Sequence, residues 1–472
     1  MKRMFSVALC CIVLIMCLYF PSSAAEEKTV LYLNYGNIKI SDNQISGYNK
    51  EGQKLTEPNP SGYIITQSNP KKAIDKGITV TSAHCAIELN NLNIERFSEY
   101  NCAFTVQNTS EVTVTITGEN HLVSGSSRAG FEIDIDSTAT INGDGILYAQ
   151  SSLQAGIGGG NGQPNGTLTI NSGTIYATGG IDGYSAGIGG GSSGGGGNIT
   201  INGGYICAEG GLYASGIGGG FMSGGGNITI NGGVITATGG DGGAGIGSGY
   251  LCNSETNVII NGGSVKAVGG DGADNIGNGT KAKTEFSGIY NSDCNTVLLV
   301  KYPVNDFDKL YINGIDTAPI VSLHPNDSSL YLYSDDTEKI ITAYMQDGSV
   351  KFFKFNNTGV SEIYPFTNGN ERFRDKLIVS KDSPLSVLTE FDLENDSDLI
   401  FNSVRVDSFE TVLRGDLNYD SKLDGMDAVI CNCVMKSIID DSFAIKLSDT
   451  DGNGTTDSND VILLEQYGLG GN

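Results

Sequence analysis

Two segments near the C-terminus place oxygen-bearing side chains at regular spacing. Each is a loop of twelve residues with side-chain oxygens at positions 1, 3, 5, 9 and 12 and a backbone carbonyl at position 7. A hard cation takes about six to eight such oxygens, so the spacing predicts two calcium loops, each binding one Ca²⁺ ion. The alternative is an acidic, turn-rich tail. The predicted ligands are Asp416, Asn418, Asp420, Lys422 (carbonyl), Asp424 and Asp427 in the first loop, and Asp449, Asp451, Asn453, Thr455 (carbonyl), Asp457 and Asp460 in the second.

An apolar stretch of helical spacing follows each loop, beginning at Val429 and at Val461. This loop–helix duplication opens with Gly-Asp-Leu-Asn, ends with Tyr-Gly-Leu-Gly, and resembles the type I dockerin. The resemblance implies an α-helical module over 411–472 that docks onto a cohesin domain of a cellulosome scaffold. Loop positions 10 and 11, which help to choose the cohesin in that family, fall on Gly425, Met426, Ser458 and Asn459.

One position in the first loop departs from the dockerin pattern. Ser421 stands where position 6 usually carries glycine, whereas the second loop has Gly454. Glycine at this position permits the sharp turn of the loop. We therefore expect the first loop to bind calcium more weakly than the second.

The N-terminus has the pattern of a secretory signal. Lys2 and Arg3 precede an apolar run from Phe5 to Phe20, and small residues lead to a cleavage site after Ala25. An uncleaved anchor is the alternative. No second apolar run is long enough for a membrane span, so we expect a secreted protein, without membrane insertion, that reaches a cell surface or cellulosome through its partner.

The composition excludes some partners and suits an extracellular scaffold. The chain of 472 residues has 67 Gly, no Trp and a formal charge of −25. Such an acidic chain will not bind nucleic acid by neutralising phosphates. Seven cysteines follow the signal, irregularly spaced and odd in number, which does not indicate a disulfide framework.

The region between the two ends is built from repeats. An Ile-Asn motif recurs about once every 30 residues from Ile141 to Ile260, followed each time by a short β-like run and then by an Ile-Gly pair, a spacing typical of a solenoid. Three short strands per turn with glycine at the corners predict a right-handed parallel β-helix over 26–289. Alternation places Ile170 and Ile175 inside and Tyr176 outside. The asparagines of the motif are expected to form a stacked ladder of side-chain amides.

The region 290–410 is less regular. Alternating strands separated by Asn, Asp and Gly turns predict a small antiparallel, sandwich-like β domain followed by a linker. The fold class is therefore mainly β, with the solenoid, this β domain and a C-terminal α-helical dockerin.

Enzymatic and binding functions both remain open for the solenoid. No Lys or Arg occurs between Arg128 and Lys266, which argues against base-assisted elimination on the regular turns. Three carboxylates, Glu132, Asp134 and Asp136, alternate onto one outward face, with Asp144 one turn away. We favour a solvated acidic strand here over a calcium site, and a calcium site over a hydrolytic pair.

An outward aromatic stripe favours carbohydrate binding. Flat rings repeated once per turn, ~4.8 Å apart, can stack on sugars, although shielding of strand edges is the alternative. The repeated motifs also resemble those of secreted β-helical, carbohydrate-binding proteins of anaerobic Firmicutes. The candidate sugar-binding residues are Tyr148, Tyr176, Tyr184, Tyr205 and Tyr213.

The expected ligand is a plant cell-wall polysaccharide such as a pectin, held through further calcium ions at Asp182, Asp241 and Asp271. A polysaccharide-degrading enzyme, hydrolase or lyase, and a cell-surface adhesive or structural protein are the alternatives.

Overall fold

A computed structural model describes residues 27–312, 320–321, 323, 327–346, 350–363, 399–401, 404–406, 415, 417, 425–439, 448–450 and 455–469. The predicted signal at 1–25 lies outside the described residues. No helix in these ranges is both long and apolar enough to cross a membrane.

The solenoid begins with short, irregular turns. A 3₁₀ helix spans Leu33–Tyr35 between the first two strands. The strands of this N-terminal half are β1 (Thr29–Tyr32), β2 (Ile38–Ile40), β3 (Ile45–Tyr48), β4 (Lys54–Leu55), β5 (Tyr63–Thr66), β6 (Ile78–Thr81), β7 (His84–Asn90), β8 (Asn93–Glu95), β9 (Phe104–Gln107), β10 (Glu111–Thr117), β11 (Glu119–Ser124), β12 (Phe131–Ile133), β13 (Thr138–Gly143), β14 (Ile146–Ser151) and β15 (Ile157–Gly158).

The regular turns follow with the same three-strand plan. Their strands are β16 (Thr167–Ile170), β17 (Thr174–Thr178), β18 (Ile188–Gly189), β19 (Asn198–Ile201), β20 (Tyr205–Glu209), β21 (Ile217–Gly218), β22 (Gly226–Ile230), β23 (Val234–Thr238), β24 (Ile246–Gly247), β25 (Thr256–Ile260), β26 (Ser264–Val268), β27 (Ile276–Gly277) and β28 (Ile289–Tyr290).

These strands form three sheets, and each regular turn contributes one strand to each. Sheet 1 runs from β1 through β5, β7, β10 and every third strand to β28. Sheet 2 runs from β8 through β11 and every third strand to β26, and sheet 3 from β2 through β6 and every third strand to β27. Pairing within the regular turns is parallel and in register, for example Ile170 with Ile201 and Ile175 with Ile206. The predicted parallel β-helix is confirmed.

The core is a set of aliphatic columns inside this three-sided tube. Ile175, Ile206 and Ile235 register with one another on sheet 2, and each is fully buried. The short strands of sheet 3 contribute a parallel column that includes Ile188, at the same depth. A single turn could not bury such a column, so stability comes from stacking neighbouring turns.

The asparagines of the repeat motif form the predicted amide ladder. Each side-chain nitrogen donates to the side-chain oxygen of the preceding turn: Asn171 to Asn142 at 2.8 Å, Asn202 to Asn171 at 2.7 Å, Asn231 to Asn202 at 2.7 Å and Asn261 to Asn231 at 2.6 Å. The prediction of a structural Asn column is confirmed.

Antiparallel strands follow the solenoid. They are β29 (Leu298–Pro303), β30 (Phe307–Ile312), β31 (Ser329–Ser334), β32 (Lys339–Met345), β33 (Val350–Asn356) and β34 (Gly359–Ile363). In the described residues β29 pairs with β31, and β30, β32, β33 and β34 form a second sheet, with a shared apolar core around Leu310 and Ile341. A further hairpin joins β35 (Leu399–Phe401) to β36 (Val404–Val406).

The β domain packs on the outer face of sheet 2 at its C-terminal end. Lys266 on β26 contacts the carboxylate of Asp327, and Tyr331 donates its backbone N–H to Ser264 Oγ at 3.0 Å. Tyr333 and Val297 join the solenoid core, so this region also closes the last turn.

Two helices are described in the C-terminal segment. Helix α1 (Gly425–Met435) and helix α2 (Ser458–Leu469) each begin within a predicted calcium loop, at position 10, and they pack against each other. Their apolar spacing arises from residues such as Ile430 and Leu464, both buried.

Candidate functional site

The structure divides the five candidate tyrosines into two groups on different faces. Tyr148 and Tyr176 register on sheet 2, and their rings stack with centroids 4.9 Å apart and planes 9° apart. The predicted one-turn spacing is thus confirmed for this pair. His121 extends the stack, with its ring 4.6 Å from that of Tyr148.

The expectation that this stripe offers free ring faces is wrong for Tyr148. His121 and Tyr176 cover its two faces, so only the ring edge and hydroxyl remain for a ligand. Rings that repeat on one sheet in register stack on each other first, because the strand spacing matches aromatic contact distance.

Tyr205 also departs from the expected stripe. It registers with Thr174 and not with Tyr176, one column across the sheet, and its ring is tilted by 59° to that of Tyr176. It packs against the core of the β domain, and burial raises its pKa to about 12. Contacts with the β domain therefore account for Tyr205.

The second group is a partly exposed array of four rings on the corner loops, Tyr184, Tyr213, Phe221 and Tyr250, which we call the ring cluster. Tyr184 and Tyr213 lie 5.9 Å apart with planes 12° apart, and Phe221 and Tyr250 lie 6.3 Å apart with planes 10° apart. The two pairs contact each other, with the Tyr213 and Tyr250 centroids 4.9 Å apart. The amine of Lys281 lies 5.5 Å from the Tyr250 ring.

Backbone hydrogen bonds between two corners position the ring cluster. The loops that leave sheet 2 carry Tyr184 and Tyr213, and the loops that leave sheet 3 carry Phe221 and Tyr250. Phe221 N–H donates to the Tyr184 carbonyl at 2.8 Å, and Tyr250 N–H donates to the Tyr213 carbonyl at 2.9 Å. At the next turn Gly242 replaces the tyrosine, so the array ends there.

Solvent reaches this array from outside. Tyr184 is 40% exposed, and Ile181, Leu212 and Met222 beside it are also exposed large apolar residues. Exposed apolar side chains grouped with flat rings are typical of an interaction surface. Sequence reasoning found Tyr184 and Tyr213 but missed Phe221 and Tyr250, although both follow a glycine after the Ile-Gly strand of consecutive turns.

The acidic strand is different from what the sequence indicated. Glu132 is only 3% exposed, so the solvated interpretation is wrong for this residue. Glu132, Asp134 and Asp136 line an open cleft of about 520 Å³, which we call the acidic cleft. Asp144 is exposed directly after β13 and does not line the acidic cleft.

Asp182, Asp241 and Asp271 are all exposed in the corner loops that follow sheet 2. Asp241 and Asp271 occupy the same position in turns closed by Gly243 N–H to Gly240 and Ala273 N–H to Gly270, whereas Asp182 lies one position later in its turn. Calcium at these residues stays a prediction.

Parts of the calcium loops are described. Asp427 and Asp460, at position 12 of each loop, are fully buried in the first turns of their helices. Asp427 Oδ1 accepts the backbone N–H of Leu417 at 2.7 Å, and Asp460 Oδ2 accepts that of Asp457 at 2.8 Å. Each carboxylate thus folds back toward its own loop, which fits a cation ligand at position 12.

Asp449, Thr455 and Asp457 are also described, and Asp449 is buried. Among the described residues no group of three or more His, Cys, Asp or Glu is placed to hold a metal ion. The remaining predicted ligands lie outside the described residues: Asp416, Asn418, Asp420, Lys422, Asp424, Asp451 and Asn453.

The four predicted cohesin-contacting positions lie at the starts of the two helices. Gly425, Ser458 and Asn459 are exposed, and Met426 is half-buried. Asn459 donates its backbone N–H to Asp457 Oδ1 at 2.7 Å, which ties the start of α2 to its loop.

Comparison with known proteins supports the solenoid. Residues 140–161, 168–192, 199–221 and 228–250 match a family model described as a beta helix repeat. Searches of curated proteins and of solved structures found no match. The four matched segments are thus similar to a beta helix repeat, which agrees with the parallel β-helix of the structure, and they carry the ring cluster.

Proposed function

We propose that this protein is a secreted, non-catalytic subunit that binds plant cell-wall polysaccharide through its β-helix and docks onto a scaffold cohesin through a calcium-dependent C-terminal module. The ring cluster carries the first half of the proposal. Its flat, partly exposed rings lie on corner loops that backbone hydrogen bonds join to each other, where a sugar ring can stack at little ordering cost.

The C-terminal half rests on the two loop–helix units. Twelve-residue loops with the spacing of calcium ligands lead into α1 and α2 and overlap their first turns. The buried position-12 carboxylates of Asp427 and Asp460 support the assignment of these loops to calcium. The resemblance to type I dockerins supplies the partner, a cohesin, and docking would place the secreted protein at a cellulosome or cell surface.

Retention of the full chain on insoluble wall polysaccharide tests the binding function. Replacing Tyr184 and Tyr250 by alanine together should weaken retention by about tenfold to a hundredfold, the effect of about 1–3 kcal/mol of lost stacking. Tyr35→Ala, which removes an exposed tyrosine from the first turn, is the matched control. Equal retention by the double variant and the wild type would exclude the ring cluster.

The enzymatic alternative has its own readout. A degrading enzyme would release reducing sugar or an unsaturated product from pectin, xylan or glucan, and we expect neither. Turnover that disappears in Asp134→Ala would replace the binding proposal with a hydrolase.

Cohesin docking is tested separately. The wild-type chain should bind at least one type I cohesin in calcium and lose it in EDTA, while Asp460→Ala should bind more weakly at any calcium concentration. Polysaccharide retention should be unchanged in Asp460→Ala, because the solenoid is distant in sequence from that loop.

A further inference from the structure

The acidic cleft is a concave surface separate from the ring cluster. It is formed by the loop after β8, by the segment around β12 and by the loop after β15, and its volume of about 520 Å³ is in the range of small-ligand sites. Its walls bring together Glu99, Tyr100, Arg128, Asp134 and Asn161.

An ion pair between half-buried Arg128 and buried Glu132 forms the floor of the cleft. Arg128 Nη2 lies 2.5 Å from Glu132 Oε1, and the backbone N–H of Ala129 donates to Glu132 Oε2 at 3.0 Å. A Cβ on Gly160 would lie 2.8 Å from the same Oε2, so a side chain at that position would press on the carboxyl group. The floor is therefore a fixed polar surface.

The rim offers the two kinds of contact that a sugar uses. Tyr100 is 74% exposed and Ile135 is 59% exposed, which provides apolar surface and a flat ring. Asn161 and Gln163 on one side and Asp136 on the other supply amide and carboxylate groups for hydroxyls.

Charge selects among carbohydrates. Of the described residues that line the cleft, four are carboxylic acids (Glu99, Glu132, Asp134 and Asp136) and one, Arg128, is basic. Arg128 is already engaged by Glu132. A uronic acid would meet like charge in a partly desolvated cleft, which disfavours its binding.

The cleft and the ring cluster follow the same edge of the solenoid. Asn161 N–H donates to the Ser127 carbonyl at 3.2 Å in the cleft, and Phe221 N–H makes the corresponding bond to Tyr184 two turns further on. Two turns correspond to about 10 Å. The two surfaces are separate, but both form where a loop after sheet 2 contacts a loop after sheet 3.

We propose that the acidic cleft is a binding site for a neutral oligosaccharide, stacked on Tyr100 and hydrogen-bonded by Asp134, Asp136 and Asn161. The choice of a carbohydrate rests on the proposed function; the preference for a neutral one rests on the charge of the cleft. Hydroxyl groups satisfy the carboxylates as donors, and the ligand adds no negative charge.

Isothermal titration calorimetry of the full chain with soluble tetrasaccharides, which measures the affinity of each, tests this site. The probes are neutral xylotetraose, cellotetraose and β-1,4-galactotetraose, and anionic tetragalacturonic acid. We expect at least one neutral probe to bind more tightly than the anionic one. Tyr100→Ala and Asp136→Asn, both at exposed positions, should each weaken it about tenfold or more.

Two matched variants serve as controls. Asp144→Asn and Tyr35→Ala alter exposed residues of the same types outside the cleft and should leave the affinity within twofold. Tighter binding of the uronic probe, no binding of any neutral probe, or unchanged affinity in Tyr100→Ala would each overturn the proposal. Loss of polysaccharide retention in the ring-cluster variant leaves this titration unaffected, so the two ideas fail separately.

Discussion

Arg128 and Glu132 form a contact of 2.5 Å beneath the acidic cleft, and the carboxyl group of Glu132 is almost completely buried. Burial raises the pKa of Glu132 from 4.5 to about 7, although Arg128 opposes the shift. A charged group that loses water without full compensation takes up a proton more readily. The floor of the cleft is thus sensitive to pH near neutrality.

The first prediction concerns stability as a function of pH. Because the folded-state pKa of Glu132 lies above its unfolded value, its stabilising contribution is complete below pH 4.5 and is lost as pH rises to about 7. The free energy of unfolding of the wild type relative to Glu132→Gln should therefore fall by about 3 kcal/mol across this window.

Denaturant unfolding followed by tyrosine fluorescence measures this difference, since the chain has no Trp. Arg128→Met provides a second test, because loss of the guanidinium should raise the pKa of Glu132 further and extend the window to higher pH. A wild-type-to-variant difference that stays constant from pH 4.5 to 8 contradicts the prediction.

The second prediction concerns the amide ladder. Asn202→Ala removes two side-chain hydrogen bonds, one to Asn171 and one from Asn231, and should cost about 1–3 kcal/mol. Asn198→Ala is the matched control on the same turn, because Asn198 accepts one such bond, from Asn227. Thermal unfolding should rank Asn202→Ala as the more destabilised, and the reverse order would show that the ladder adds little.

The third prediction separates steric exclusion from backbone strain at two glycines. Gly218 has φ +129°, and a Cβ there would lie 2.1 Å from the Gly247 carbonyl oxygen of the next turn. Gly162 has φ +70° with nothing within 4 Å of the same atom. Gly162→Ala should cost about 1 kcal/mol and Gly218→Ala about 3 kcal/mol or more. Similar melting temperatures for the two variants would contradict the close stacking of sheet 3.

The fourth prediction concerns the contact between the solenoid and the β domain. Asp327 accepts from Lys266 and from the Tyr331 hydroxyl, so Lys266→Met leaves a buried carboxylate poorly paired. Hydrogen exchange in β31 should become about tenfold faster or more. Lys354→Met breaks the exposed pair with Glu338 and is the control, with little expected effect. Equal exchange in both variants would exclude this anchor.

The fifth prediction concerns calcium. Chelation of the full chain should speed hydrogen exchange in residues 425–439 and 455–469 while leaving 138–260 protected, because ligands that converge only in the folded state couple binding to folding. With Ser421 in the first loop, calcium titration should fill the second loop first. Exchange that is indifferent to EDTA at both helices would remove the calcium assignment.

The regular part of the fold could be predicted because its information is local and repeated. The Ile and Asn positions recur once per turn in the sequence and so define the register of the stacked strands. The inward position of Ile175 follows from alternation alone. The packing of Tyr205 against the β domain could not be predicted in this way. It depends on the β domain that covers it, and such long-range packing leaves no periodic signal in the sequence.

The acidic cleft illustrates the same limit at the level of a site. The sequence showed that Glu132 and Asp134 share a face, but not that Gly160 and the loop at Tyr100 enclose them. The burial that shifts the pKa of Glu132 comes from turns before and after its own. Burial of this kind is a property of stacked turns and not of one strand.

The amide ladder has a consequence for how such a chain can change over time. Each asparagine makes the same donor–acceptor pair with its neighbours. At the last one, Asn261, the side-chain nitrogen also donates to Ser292 Oγ, and the side-chain oxygen accepts the backbone N–H of Ser292. Any in-frame duplication or deletion of one whole repeat would rejoin identical partners across the new boundary. The solenoid can therefore lengthen or shorten by complete turns while its two ends stay the same, and the edge that carries the ring cluster can grow in the same increments.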